Sequence, residues 1–76
     1  MNDPTRWLIL FDSIHHVLAA ERFFHEQGLW CDLVPIPKDI SPDCGMALEF
    51  HAADRGSVGD LLTDPRVGKH RVIQYP

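Results

Sequence analysis

Hydrophobic residues in this chain recur at helical spacing in two stretches and form short runs or alternate in four others. The first apolar run, residues 7–11, predicts a strand that is buried on both faces. The longer helical stretch carries Val17, Ala20 and Phe24 on one face. The predicted elements, in chain order, are a strand at 7–11, a helix at 14–27, strands at 31–36 and 46–50, a helix at 57–62 and a strand at 71–75.

Residues with special backbone preferences mark the ends of these elements. Asp12 or Ser13 is suited to cap the first helix, and Gly28 is suited to end it. Pro35 cannot donate a hydrogen bond to a neighbouring strand, so we expect the second strand at an edge of the sheet. Ser57 is predicted to cap the second helix.

The order of the elements predicts an α+β protein with a ferredoxin-like β-α-β-β-α-β fold, in which two helices cover one face of a four-stranded antiparallel sheet. The alternative is the opening βαβ unit of a flavodoxin-like fold, but 76 residues are too few to complete one. We expect one domain over residues 1–76. In the ferredoxin-like arrangement, Ser13, His15 and His16 lie on the same rim of the sheet as residues 38–45.

The charge and composition exclude several classes of partner. The net charge is −4 and the seven basic residues are scattered from Arg6 to Arg71, so we expect no nucleic-acid partner and no membrane partner. No apolar run approaches the roughly 20 residues that span a bilayer. Residues 1–4 do not resemble the start of a signal peptide, which predicts a cytoplasmic protein with reduced thiols.

Apolar residues on both faces of the first strand predict a homodimer. Trp7, Ile9 and Phe11 lie on one face of that strand, and Leu8 and Leu10 lie on the other. Two helices can cover only one face of a four-stranded sheet. The second face is therefore predicted to be an apolar patch that a second copy covers.

The segment from Ser41 to Gly45 is the most informative stretch for chemistry. Ser41 is a preferred helix cap, Pro42 suits a first helical position and Gly45 can end a single turn. The thiol of Cys44 is thereby predicted to lie over unpaired N–H groups, which favour the thiolate.

Two charges close to this segment act in opposite directions on the Cys44 thiol. Lys38 is a cation that favours the thiolate, whereas the carboxylate of Asp43 raises the pKa of a neighbouring thiol. The alternative interpretation is that the segment is only a well-formed turn with an inert cysteine.

The second cysteine, Cys31, begins an apolar strand and is predicted to pack in the core. If the second and third strands form a hairpin, Cys31 and Cys44 lie near its opposite ends. The gap then exceeds about 12 Å, whereas a disulfide needs Cα atoms within about 7 Å. We therefore predict no disulfide between them.

The histidines form no recognisable metal site. His15 and His16 point about 100° apart on a helix, so they cannot both bind one ion comfortably. His15 is predicted to be solvated, and His16 to lie closer to the thiol. His70 is interpreted as a surface residue. The cysteine and histidine spacings match no zinc pattern, and we expect neither a metal nor a cofactor.

Nearly the whole chain resembles a small family of selenium/sulfur carrier-like proteins. The resemblance lies in Phe11 and Ser13, the pair His15 and His16, Ala20 and Glu21, Ile36-Pro37-Lys38, and Ile40, Ser41, Cys44 and Gly45. It implies a cysteine that holds sulfur or selenium as a persulfide or perselenide. Members of the family are also joined to sulfurtransferase-like domains. This chain has Lys38 where the family usually has arginine, and Pro42 where a small polar residue is expected.

Three hypotheses for function follow. The first is a sulfur or selenium carrier with Cys44 as the reactive residue, acting between donor and acceptor proteins. The residues that we expect to assist Cys44 are Ser41, Gly45, Lys38, His16 and Ser13. The alternatives are a non-enzymatic interaction or small-ligand-sensing module and a thiol redox switch.

Overall fold

The computed structural model describes residues 6–40 and 45–75. These form an antiparallel sheet of four strands in the order β2-β3-β1-β4, with two helices. The elements are β1 (Arg6–Phe11), α1 (Ile14–Glu26), β2 (Cys31–Pro35), β3 (Met46–Phe50), a short 3-10 turn (Ala52–Asp54), α2 (Arg55–Leu62) and β4 (His70–Tyr75). The predicted ferredoxin-like order is confirmed, and β2 is an edge strand as Pro35 indicated.

The start and end of α1 follow from single residues. Ser13 has an extended backbone, and its Oγ accepts a hydrogen bond from the His16 N–H at 3.3 Å. Ser13, and not Asp12, is therefore the helix cap. Beyond the last turn, Gly28 has a φ of 79°, a left-handed conformation that favours glycine.

The predicted start of the second helix is wrong. The chain turns at Ala52–Asp54 and continues directly into α2 at Arg55, so Ser57 lies inside the helix. The Asp54 N–H donates to the His51 carbonyl at 2.9 Å, which starts the winding before Ser57 is reached. A serine caps a helix only where its own backbone is extended, and Ser57 is already helical.

The main core lies between the helices and one face of the sheet. The fully buried side chains of Phe24 and Val17 from α1 pack with Ile9 of β1, Leu48 of β3 and Val58 of α2. The spacing of Val17, Ala20 and Phe24 in the sequence predicted this face of α1. The burial of these apolar side chains supplies most of the stability of so short a chain.

The other face of the sheet is more buried than predicted. Leu8 and Ala47 are fully buried and Val34 is 9% exposed within one chain. The Tyr75 hydroxyl donates to Asp39 Oδ1 at 3.1 Å. Because β2 and β4 are the two edge strands, this hydrogen bond holds the connection that follows β2 across the sheet face opposite the helices, called the open face below.

The observed burial bears on the homodimer. The apolar patch from which the homodimer was predicted is largely covered at Leu8, Val34 and Ala47 by the chain itself. The premise of an uncovered apolar face is therefore wrong at these positions. The homodimer itself stays a prediction.

Two glycines allow a direct test of the backbone assignment. Gly59 lies inside α2 with open space where a Cβ would point, so Gly59→Ala is expected to raise the free energy of unfolding by about 0.5–1 kcal/mol. Gly28→Ala also meets open space, but its positive φ is expected to make it destabilising by about 1 kcal/mol. Urea denaturation of both variants measures the two effects. Equal effects of the same sign on the free energy of unfolding would contradict the helical backbone of Gly59 or the left-handed backbone of Gly28.

Candidate functional site

One rim of the sheet collects the ends of all four strands. The register places Pro35 opposite Met46, Leu10 opposite Ala47 and Phe11 opposite His70. The ends of β1 and β2 therefore meet the starts of β3 and β4 at this rim. The start of α1 follows β1 and lies there too.

The hairpin of β2 and β3 holds both sides of the predicted reactive segment at this rim. The Ile36 N–H donates to the Gly45 carbonyl at 3.0 Å, one step beyond the last strand pair. The predicted site residues Ser41 and Cys44 lie outside the described residues, as do Pro42 and Asp43. Their turn stays a prediction, whereas Gly45 is described directly.

Ser13 and Gly45 line the same cleft, as the predicted rim requires. This Ser13 cleft has a volume of about 300 Å³. It is lined by Phe11, Asp12, Ser13, Ile14, Ile36, Gly45 and Met46. Ser13 Oγ accepts the hydrogen bond that caps α1, and its hydroxyl hydrogen can still donate to a ligand in the cleft.

Gly45 lies unusually close to Ile36. A Cβ added at Gly45 would be 3.0 Å from Ile36 Cδ1, which is tighter than ordinary van der Waals contact. Because Gly45 has no Cβ, the Ile36 side chain can pack directly against its backbone, and the β2–β3 hairpin can close at this pair. This close approach gives Gly45 a packing role besides the turn predicted for it.

The structure places His16 in a different cleft from Ser13 and Gly45. A Cβ at Gly68 would be 2.7 Å from the His16 ring, so the imidazole lies against the backbone of Gly68. This His16 groove has a volume of about 190 Å³. It is lined by His16, Ala19, Ala20, Arg22, Phe23, Glu26, Arg66, Val67 and Gly68.

His15, at the start of α1, and Lys38, in the connection that follows β2, are both solvent-exposed. His15 is exposed, as its helical position predicted. Lys38 is also exposed and lies in the turn closed by the Ile40 N–H and the Pro37 carbonyl at 3.0 Å. Lys38 lines neither the Ser13 cleft nor the His16 groove.

A second cleft on the rim was missed by the sequence reasoning. It is a basic cleft of about 390 Å³. It is lined by Leu10, Phe11, Asp12, Ile36, Ile40, Lys69, His70 and Arg71. The sequence contains the adjacent basic residues Lys69, His70 and Arg71, but only the pairing of β4 with β1 shows that they line a cleft.

His70 is a half-buried surface residue with more contacts than the sequence predicted. Its ring lies 6.0 Å from the Phe11 ring, and its Nδ1 is 2.9 Å from the Gly68 carbonyl. A carbonyl oxygen can only accept, so Nδ1 carries the proton and Nε2 is left for another partner.

Cys31 has the packing role that was predicted for it. Its side chain is 5% exposed in the core, and its Sγ donates to the Glu21 carbonyl at 3.9 Å. Burial, followed by the negative charges of Glu21 and Asp32, raises the pKa of the Cys31 thiol from 9.0 to about 11. A thiol that is both buried and protonated at neutral pH is a poor nucleophile.

Cys31 also lies at the end of the hairpin away from the rim. It pairs with Phe50, whereas Pro35 pairs with Met46 at the rim. The four residue-to-residue steps from Cys31 to Pro35 span about 13 Å in an extended strand. This separation supports the prediction that Cys31 and Cys44 form no disulfide, which stays a prediction because Cys44 lies outside the described residues.

The described residues contain neither a cluster of metal ligands nor a helix suited to crossing a membrane. Across 6–40 and 45–75, no three His, Cys, Asp or Glu side chains are grouped closely enough to hold a metal ion. No helix in those same ranges combines the length and the apolar character that crossing a membrane requires. The rim therefore offers hydrogen-bond donors, cations and apolar walls as its chemistry.

The buried thiol predicts a characteristic pH dependence of stability. The folded state retains the Cys31 proton between pH 9.0 and about 11, where the unfolded state loses it. The free energy of unfolding therefore falls as pH rises through this window. Cys31→Ala is expected to remove this fall, so that the difference from the natural protein narrows with pH. Urea denaturation at a series of pH values measures it.

Cys44→Ser is the matched control for this measurement, because it retains Cys31 and should keep the fall. An unchanged pH dependence in Cys31→Ala would show that the fold does not hold this thiol protonated.

Comparison with known proteins supports the resemblance seen in the sequence. The family model described as "Putative Se/S carrier protein-like" matches residues 6–72. Comparison with the curated proteins found no match, and comparison with the solved structures found none. Because the match spans most of the chain and includes every strand and helix at least in part, the chain belongs to this selenium/sulfur carrier-like family.

Proposed function

We propose that this protein carries a sulfur or selenium atom on Cys44, as a persulfide or perselenide, between a donor and an acceptor. The observation that carries the proposal is the burial of the other thiol, Cys31, together with its raised pKa. The chain has two cysteines, and Cys31 is buried with its pKa raised to about 11. In a family named for selenium and sulfur carriage, Cys44 is then the thiol left for the cargo.

The proposed transfer is an exchange with no net oxidation. The Cys44 thiolate attacks the outer sulfur of a donor persulfide, R–S–SH, and the donor S–S bond breaks. The products are Cys44–S–SH and the donor thiolate, R–S⁻. An acceptor nucleophile then attacks the terminal sulfur, which releases the Cys44 thiolate. A donor that carries selenium in the outer position gives Cys44–S–SeH by the same exchange.

The described neighbours support this chemistry through their positions on the rim. Gly45 follows Cys44 directly and shares the Ser13 cleft, where the Ser13 hydroxyl can donate to an anionic sulfur. We propose that Lys38 and the turn begun by Ser41 also favour the thiolate. The His16 imidazole lies against Gly68 in the His16 groove, and its assistance to Cys44 stays a prediction.

The proposed partners and setting follow from the chemistry. Persulfide donors and acceptors are expected to be proteins or small thiols that reach the rim from solution. A carrier thiol must stay reduced between cycles, so we propose that the protein works in the cytoplasm.

A loading experiment tests the proposal. The full chain is incubated with a small persulfide donor and examined by intact-mass and peptide mass spectrometry. We expect one added sulfur at Cys44, none in Cys44→Ser, and normal loading in Cys31→Ala because the core thiol takes no part.

Other outcomes would identify the alternatives. Glutathione or sulfenic adducts without a persulfide would indicate a redox switch. No adduct of any kind at Cys44 would favour an interaction module, and loading at Cys31 would contradict the proposed roles of the two thiols.

A further inference from the structure

The basic cleft is an exception to the acidic character of the chain. Eleven acidic residues outnumber seven lysines and arginines. Arg6 and Arg66 are each paired with a carboxylate at 3.0 Å, from Glu49 and Asp64. Within the part of the chain that the structure describes, Lys69 and Arg71 have no such ion pair, yet both line the basic cleft.

The walls of this cleft suit a small organic anion. Leu10, Phe11, Ile36 and Ile40 supply apolar surface in the same cleft as the two cations. The volume of about 390 Å³ lies in the range of small-molecule sites. Asp12 adds one carboxylate, which suits a ligand that carries an ammonium group as well as anionic groups.

The basic cleft adjoins the cleft proposed to receive the cargo atom. Phe11, Asp12 and Ile36 line both the basic cleft and the Ser13 cleft. Ile40 of the basic cleft precedes segment 41–44, and Gly45 of the Ser13 cleft follows it. A ligand in the basic cleft thus lies beside Ile40 and close to the cleft of Gly45, the two described residues that flank segment 41–44.

The connection that forms one wall of the cleft is held in place. Asp39, next to Ile40, accepts a hydrogen bond from Tyr75 across the open face of the sheet. The Ile40 N–H is bonded to the Pro37 carbonyl in the same connection. The Ile40 wall is therefore part of the folded structure, which lowers the cost of ordering it when a ligand binds.

We propose that the basic cleft binds a low-molecular-weight, dicarboxylate thiol of the glutathione type and presents its persulfide to Cys44. Lys69 and Arg71 bind the two carboxylates and Asp12 binds the ammonium group. This inference rests on the proposed function for the transfer step itself. In that step the Cys44 thiolate takes the outer sulfur, the ligand S–S bond breaks, and the ligand leaves as its thiolate.

Comparison of two donors tests the inference. Loading of Cys44 is timed with glutathione persulfide and with the uncharged persulfide of 2-mercaptoethanol, in the natural chain and in Lys69→Gln/Arg71→Gln. We expect the double variant to load about tenfold more slowly from glutathione persulfide and unchanged from the uncharged donor. High salt should slow only the glutathione reaction of the natural chain. Arg66→Gln, which removes an exposed charge outside the cleft, should match the natural chain.

The outcomes separate this inference from the proposed function. No loading of the natural chain by either donor would overturn the proposed function. Loading by both donors with equal sensitivity, or no sensitivity, to the double variant would overturn only the cleft assignment.

Binding without transfer provides a second readout. Unreactive S-methylglutathione is expected to shift the amide resonances of Ile40, Lys69 and Arg71 in the natural chain, and not in the double variant. Shifts that are absent, or that persist in the double variant, would overturn the assignment. Equal shifts with a triglutamate peptide would also overturn it, because the cleft would then bind acidic protein surfaces in general.

Discussion

The register of the β2–β3 pair is the constraint on which the rest of this structure depends. It sets Cys31 opposite Phe50 and Pro35 opposite Met46, and the Ile36–Gly45 hydrogen bond closes the pair at 3.0 Å. A shift by one residue would turn Leu48 and Phe50 out of the core. The free energy of burying these side chains therefore also fixes Ile36 and Gly45, the residue that follows segment 41–44, at the rim.

This constraint places Cys31 at one end of the sheet and the two rim clefts at the other. Away from the rim, Cys31 lies in the core, where burial suppresses its ionisation. At the rim, the Ser13 cleft and the basic cleft lie beside the ends of the strands. The same sheet thus protects the Cys31 thiol and places cations and hydrogen-bond donors at the rim that contains Gly45.

Periodic burial and local backbone chemistry made much of this predictable from the sequence. The apolar face of α1, the Ser13 cap and the edge position of β2 each depend on residues close in sequence. The start of α2 was wrong because winding begins at the 3-10 turn before Ser57. The covered sheet face and the basic cleft depend on Asp39 meeting Tyr75 and on β4 pairing with β1, and such distant contacts leave no local pattern.

Release of the cargo atom tests the central claim most directly, because a carrier must surrender what it holds. The full chain is loaded from a ³⁴S-labelled persulfide, freed of donor, and treated with cyanide, which attacks the terminal sulfur of a persulfide. We expect one labelled thiocyanate per loaded chain, return of the protein to its original mass, and a second round of loading at Cys44. Label that stays on the chain, or leaves without an added nucleophile, would contradict a carrier.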